Sequence, residues 1–186
     1  DASVPQICEN LVYITNNSDP EYMDRDILYS ILDKGPKRAS AYWFIHIQVT
    51  DEPFTSDYTV ESYGTDYVFF VTIRLGFKVP QRVNVYLRQI ISDLVATGAL
   101  PQQVRKYSIY KNATTGSFRF YHIRKTLAPE SDISHLQKLA VRLKYKIRKM
   151  AGSPDKWYGL ENSNLVIEYV PLFIRSKHFN PFVKTK

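Results

Sequence analysis

Asp51 and Glu52 stand side by side where an aromatic, β-branched run, Ala41-Tyr-Trp-Phe-Ile-His-Ile-Gln-Val-Thr50, meets Pro53. Paired carboxylates push one another's pKa values apart and so can divide acid and base roles. Adjacent strand residues point to opposite faces, however, so only one of the two lines any given pocket unless the backbone turns at Pro53. That spacing predicts a structural role at a strand end. His46, His122, His135 and His178 lie far apart, without the spacing of zinc ligands. His46 shares a strand face with Phe44 and Gln48 and reads as a hydrogen-bonded histidine in or beside the core. Cys8 is the only cysteine, which rules out an internal disulfide and removes cysteine-only metal sites. The seven glycines are scattered, with neither GxGxxG nor a P-loop. A phosphate could still meet the free N–H groups of helix starts near Pro80 or Asp132. No Ser/His/Asp constellation is recognisable, so no catalytic residue is assigned. No enzyme activity, metal site or cofactor is expected.

Two segments carry charge in a pattern. In Asp132–Met150, Leu136, Leu139, Ala140, Leu143, Ile147 and Met150 form a narrow apolar stripe, and lysines and arginines wrap the rest. Lys138, Arg142, Lys146, Arg148 and Lys149 are therefore the candidate surface for anionic lipid or an anionic partner. A stripe this narrow also suits packing on a sheet with the basic face in water. Gly116-Ser-Phe-Arg-Phe-Tyr-His-Ile-Arg-Lys125 interleaves aromatic and basic residues like an RNA-stacking strand. It departs from that consensus at Thr115 and Arg119, and Phe118, Phe120 and His122 read better as one sheet face.

The elements that must position these residues follow from periodicity. Leu11–Thr15 reads as a strand. Asp19-Pro20 opens a helix bearing Ile27, Leu28, Ile31 and Leu32, Gly35-Pro36 ends it, and Tyr42–Thr50 follows as a strand. This β-α-β unit predicts parallel strands joined by a right-handed crossover. Tyr58–Tyr63 and Tyr67–Phe77 flank Gly64-Thr65-Asp66 as a hairpin. Pro80 introduces a helix with Val83, Leu87, Ile90, Ile91 and Leu94 on one face and Gly98 at its end. Tyr107–Lys111 and Ser117–Lys125 read as a second hairpin, Asp132–Met150 as a third helix, and Leu165–Ile174 as a last strand whose Pro171 belongs at a sheet edge. The fold class is thus α/β with α+β character: one mixed sheet of about six to seven strands with three helices, in the order β-α-β-β-β-α-β-β-α-β. Residues 1–175 are expected to form one domain, with 176–186 as a C-terminal tail.

With 186 residues and 44% apolar content the chain is globular, and its formal charge of +7 admits anionic lipid or nucleic acid as partners. No apolar run approaches the roughly 20 residues that span a bilayer, and no signal peptide is visible. The sequence opens without Met, as an excised fragment would. Asn16-Asn17-Ser18 and Asn112-Ala113-Thr114 match the glycosylation sequon, a tripeptide frequent by chance.

Three segments in order, Ala41–Pro53, Tyr67–Phe77 with Lys78-Val79-Pro80, and Gly159–Leu172, resemble the cytoplasmic C-terminal domain of Kup-type (KUP/HAK/KT) potassium uptake permeases. The resemblance runs from roughly Val4 to Ile174 and includes the opening Val4-Pro5, the strand Asn10-Leu-Val-Tyr-Ile14, Asp51-Glu52-Pro53 and the pair Gly76-Phe77. The Gly-rich opening of many members is replaced here by Glu9-Asn10. The resemblance implies a regulatory or assembly domain at the cytoplasmic face of the membrane, attached to a potassium/proton symporter whose transmembrane part lies outside this chain. Its partners would be that transmembrane part, a second copy in a homodimer, and the anionic membrane surface. One alternative is a module sensing an adenine nucleotide or cyclic di-AMP, and another is a free-standing basic nucleic-acid-binding protein.

Overall fold

The computed structural model describes residues 3–105, 108–109, 115–127 and 154–172. Its elements are β1 (Gln6–Thr15), α1 (Arg25–Leu32), β2 (Arg38–Thr50), β3 (Ser56–Glu61), β4 (Val68–Gly76), α2 (Val83–Ala96), β5 (Phe118–Leu127), the single turn α3 (Pro154–Trp157) and β6 (Leu165–Leu172). They build one mixed six-stranded sheet in the order β3-β4-β2-β1-β5-β6. Only β3 is antiparallel to its neighbour, β4, while β4, β2, β1, β5 and β6 run parallel. Taken in chain order, the five parallel strands are arranged 3-2-1-4-5, the doubly wound order with a switch point between its first and fourth strands. The chain moves one way from β1 and the other way from β4 to β5. Crossovers of one hand must then lay their helices on opposite faces, and α1 and α2 do lie on opposite faces.

Alternation along the strands sorts the core into two layers. Val12, Trp43, Ile45, Phe69, Val71, Ile73 and Phe120 face α2, whose Val83, Leu87, Ile90 and Ile91 are buried against them. Leu11, Tyr13, Phe44, Phe70 and Tyr121 face α1 through Ile27. A sheet buried on both faces reads as nearly continuous apolar residues, which is why β1, β2 and β4 look so dense in the sequence.

Several expected boundaries move. α1 begins at Arg25 rather than at Asp19-Pro20, with Asp24 as its N-cap accepting from the Asp26 N–H at 3.1 Å. Upstream, Asn17 and Asp19 side chains take the backbone N–H groups of Asp19 and Glu21 at 3.1 and 2.9 Å. Such Asx turns give the backbone an alternative to helix. α2 begins at Val83 rather than at Pro80, its first N–H donating to the Tyr158 carbonyl at 3.2 Å. It ends as expected: Gly98 sits at φ 74, and Ala99 and Gly98 donate back to Leu94 and Val95 at 2.9 and 3.1 Å, a Schellman motif. The second hairpin does not form, because β5 has β1 on one side and β6 on the other, leaving no edge for a hairpin partner. Ser108 and Ile109 are not strand, and the rest of Tyr107–Lys111 lies outside the described residues. So do the expected third helix, Asp132–Met150, and the tail 176–186. Among the described residues two helices exceed one turn, and the sheet has six strands, within the six to seven expected, with no strand at Ser108 and Ile109. Pro171 lies on the edge strand β6, where its missing N–H costs no ladder bond.

Candidate functional site

At the strands' N-terminal end, Asn10 is fully buried in β1, and its side chain must find partners inside the protein. It forms a reciprocal amide pair with buried Gln103: Asn10 Nδ2 donates to Gln103 Oε1 and Gln103 Nε2 to Asn10 Oδ1, both at 2.7 Å. The Trp43 indole donates to the same Oδ1 at 3.0 Å, and the Gly116 N–H to Gln103 Oε1 at 2.9 Å. Glu9 closes the group by accepting from the Ser117 N–H at 2.8 Å and from the Ser117 hydroxyl. Burial alone would raise the Glu9 carboxyl; the two Ser117 hydrogen bonds, with its own backbone N–H and the charge of Arg105, together outweigh it and hold the group below its ordinary value. Beside this network Gln6, Glu9, Ser40, Asp66, Tyr67 and residues 100–104 line a cavity of about 450 Å³. That is large enough for a small ligand. Two carboxylates in its wall oppose a phosphate.

On the α1 face, Tyr13, Ser30, Lys37 and Glu168 meet. Tyr13 Oη lies 2.8 Å from Ser30 Oγ, which donates to Glu168. Lys37 Nζ is 3.3 Å from Ser30 Oγ, donates to the Ser30 carbonyl and pairs with Glu168 at 3.3 Å. A serine beside a lysine is a combination that supports nucleophilic catalysis. Ser30 and Tyr13 have no exposed surface, however, so no substrate reaches them. Burial pushes the Tyr13 phenol well above its ordinary value. The cluster ties α1 and the start of β2 to β6.

The switch point offers little to an anion. The start of α1 is held by its own carboxylates, Asp24 as cap and Asp26 paired with Lys125 at 2.5 Å. The start of α2 has no side-chain cap and spends its first N–H on the Tyr158 carbonyl, and the expected start at Asp132 lies outside the described residues.

Beyond the ends of β2 and β4 the chain builds a tip. Gly76 is packed so closely that a Cβ there would lie 2.3 Å from the Glu52 carbonyl oxygen and 2.6 Å from the Phe54 nitrogen. The Gly76 N–H donates to Thr55 O at 2.8 Å and the Lys78 N–H to Pro53 O at 3.1 Å. These bonds hold Phe54 and Phe77 outward, 73% and 61% exposed, with Lys78 Nζ 5.5 and 5.9 Å from the two ring centroids. Asp51 and Glu52 flank them in solvent, and Val49 is exposed alongside.

The sequence's own candidates are dispersed. Lys138, Arg142, Lys146, Arg148 and Lys149 lie outside the described residues, as do His135 and His178. His46 faces the α1 side and His122 the α2 side, where its ring lies 6.0 Å from that of Tyr158. Phe118 and Phe120 are buried on the α2 face, the Phe118 ring with the Arg88 guanidinium 4.7 Å from its centroid, which leaves too little surface for bases to stack on. Among the described residues no group of three His, Cys, Asp or Glu could hold a metal. Periodicity did not single out the Asn10–Gln103 pair or the Ser30 cluster. The available signal was a lone Asn inside the apolar run of β1.

The sequence model described as the K+ potassium transporter C-terminal domain matches residues 9–170. The chain belongs to this family. It is 45% identical over 176 residues to the probable potassium transport system protein Kup of Clostridium perfringens, covering 95% of this chain and 27% of that protein. The same-named protein of Enterococcus faecalis is 42% identical over 186 residues, which is 100% of this chain and 28% of the relative. Probable potassium transport system protein Kup 1 of Bifidobacterium longum is 45% identical over 178 residues, covering 95% of this chain and 30% of the relative. The chain therefore spans less than a third of the length of these Kup relatives. No solved structure matches. Gly76-Phe77 and Asp51-Glu52-Pro53, read separately in the sequence as family features, form a single tip in the folded domain.

Proposed function

We propose that this chain is a regulatory or assembly domain at the cytoplasmic face of a potassium uptake permease, a potassium/proton symporter. The observation that carries the reading is the family match across residues 9–170, joined to relatives named for potassium transport that are more than three times longer. No helix among the described residues is long and apolar enough to cross a membrane. In this reading the transport path belongs to the rest of the permease. Residues 1–175 act as the domain and 176–186 as its tail. Such a domain affects transport by binding the rest of the permease differently in its two access states. A homodimer and contact with the anionic leaflet through Lys138, Arg142, Lys146, Arg148 and Lys149 complete the set of partners.

The test is potassium uptake by cells without other uptake systems, expressing the full-length protein with or without residues 9–170. Uptake that rises with external acidity and changes in rate or affinity on deletion supports the reading. Identical uptake with and without the domain removes any regulatory role. Replacing Arg142, Lys146 and Lys149 by Gln is expected to weaken binding to anionic vesicles in a cosedimentation assay. Unchanged binding would make that segment ordinary solvated surface.

The sensing alternative rests on the 450 Å³ cavity. Its Glu9 and Asp66 carboxylates speak against adenine nucleotides or cyclic di-AMP as its ligand. A thermal-shift panel of ATP, AMP and cyclic di-AMP is expected to be flat, and stabilisation by any one of them would revive it. Free-standing nucleic-acid binding has no support in the inward-facing aromatic residues of β5.

A further inference from the structure

We propose that the tip at the ends of β2 and β4 is a docking knob, with Phe54 and Phe77 seated in an apolar pocket of the permease's own polypeptide outside this chain, rimmed by basic side chains. The proposal rests on the reading of this chain as the C-terminal domain of a permease. Two phenylalanines left more than half exposed carry an obvious cost in water unless something covers them. Their exposure is built in: Gly76 admits the 52–54 backbone at a distance no other residue allows, and backbone hydrogen bonds at 2.8 and 3.1 Å fix the turn. A ring on a fixed backbone has only two side-chain torsions to lose when it binds, which favours aromatic anchors at interfaces.

Charge and size choose among the occupants. The tip sets two exposed carboxylates, Asp51 and Glu52, against one ammonium, Lys78, on a chain whose net charge is +7. The neighbouring Asp57 is paired with Arg74 at 2.6 Å. An acid-biased knob is mismatched to an anionic leaflet. It is matched to the cytoplasmic loops of a membrane protein, which carry an excess of lysine and arginine. Two rings of about 150–250 Å² each, already partly covered, add far less than the roughly 800 Å² per partner of a stable free complex. A contact that small holds only where a tether supplies a high effective concentration, and that condition is met within one polypeptide. A second copy of the chain, associating freely, would need more surface than the tip offers.

The experiment uses the full-length permease in cells without other potassium uptake. Benzoylphenylalanine is placed at position 54, the cells are irradiated, and the adduct is mapped by mass spectrometry. In parallel, initial uptake is measured for Phe54→Ser/Phe77→Ser and for Val85→Ser, an exposed change on α2, at matched membrane levels. The expected result is an intramolecular adduct outside residues 1–186, with uptake by the double variant altered roughly fivefold or more and Val85→Ser unchanged. An adduct confined to lipid, an adduct on another copy of the domain, no adduct, or wild-type uptake by the double variant would each overturn the knob. Absence of uptake by the wild-type protein would overturn the permease reading itself, and the knob with it. Wild-type uptake combined with any of the preceding results overturns the knob alone.

Discussion

Asn10 shows how much one side chain settles. Its amide oxygen satisfies the Gln103 Nε2 and Trp43 indole donors at once, and each of those two donors would otherwise be buried without a partner. Asn10→Leu should therefore destabilise the domain by about 2–4 kcal/mol in urea unfolding, although it adds apolar volume to a core. A neutral result would mean that water replaces the amide. Glu9 beside it makes a pH prediction with a definite sign. Its folded-state value lies below the ordinary one of 4.5, so its contribution is complete above that pH and is lost as pH falls through the depressed value. The melting temperature of the parent should drop more than that of Glu9→Gln between roughly pH 6 and pH 3. Equal drops would show that the Ser117 bonds do not select the carboxylate. Cys8 is buried, and burial pushes its thiol to about 11. Thiolate is the reactive form, so Cys8 should resist alkylation at neutral pH until the domain is unfolded in denaturant. Rapid labelling of the folded protein would contradict that burial.

Between elements, the pair Lys37–Glu168 ties the start of β2 to the edge strand β6, with side chains only 10% and 11% exposed. Removing Glu168 leaves Lys37 a buried charge without its carboxylate and costs about 3–5 kcal/mol, whereas removing Lys37 costs less because Lys34 Nζ stays 3.9 Å from the Glu168 carboxylate; replacing both with apolar residues is close to neutral. A double-mutant cycle of Lys37→Met and Glu168→Met should show that coupling, and additive losses would mean the two charges are solvated independently. Gly76→Ala forces a Cβ onto the Glu52–Phe54 backbone and should cost about 1–3 kcal/mol. Elements with a strong local period were legible in the sequence. The β1–α1–β2 unit, the β3–β4 hairpin, the buried face of α2 and the Gly98 cap all follow from spacing and turn chemistry. Helix starts were less so, since Asx turns at Asn17 and Asp19 compete with the helix using only local side chains. The neighbours of β5 were not legible at all, because pairing across 118 − 10 = 108 residues to β1 and 165 − 120 = 45 residues to β6 leaves no local trace. The same reason hid the Ser30–Glu168 contact, whose partners stand 138 positions apart. Asp51-Glu52-Pro53 and Gly76-Phe77 were visible as separate fragments, and only the fold makes them a single surface.

For the whole molecule, the position of β1 matters most. It is the first strand in the chain and an inner strand of the sheet, with β2 on one side and β5 on the other. Asn10 pairs with Phe118, a separation of 118 − 10 = 108 residues. During synthesis, then, one side of β1 stays open while the ribosome adds those residues, a delay on the order of ten seconds. Through that interval an apolar strand presents unpaired N–H and C=O groups, the feature that templates pairing between chains. Fragments ending before Phe118 should accordingly collect in the pellet on overexpression, whereas those ending beyond Leu172 stay soluble. The nascent domain thus depends on what shields its first strand until its fifth arrives.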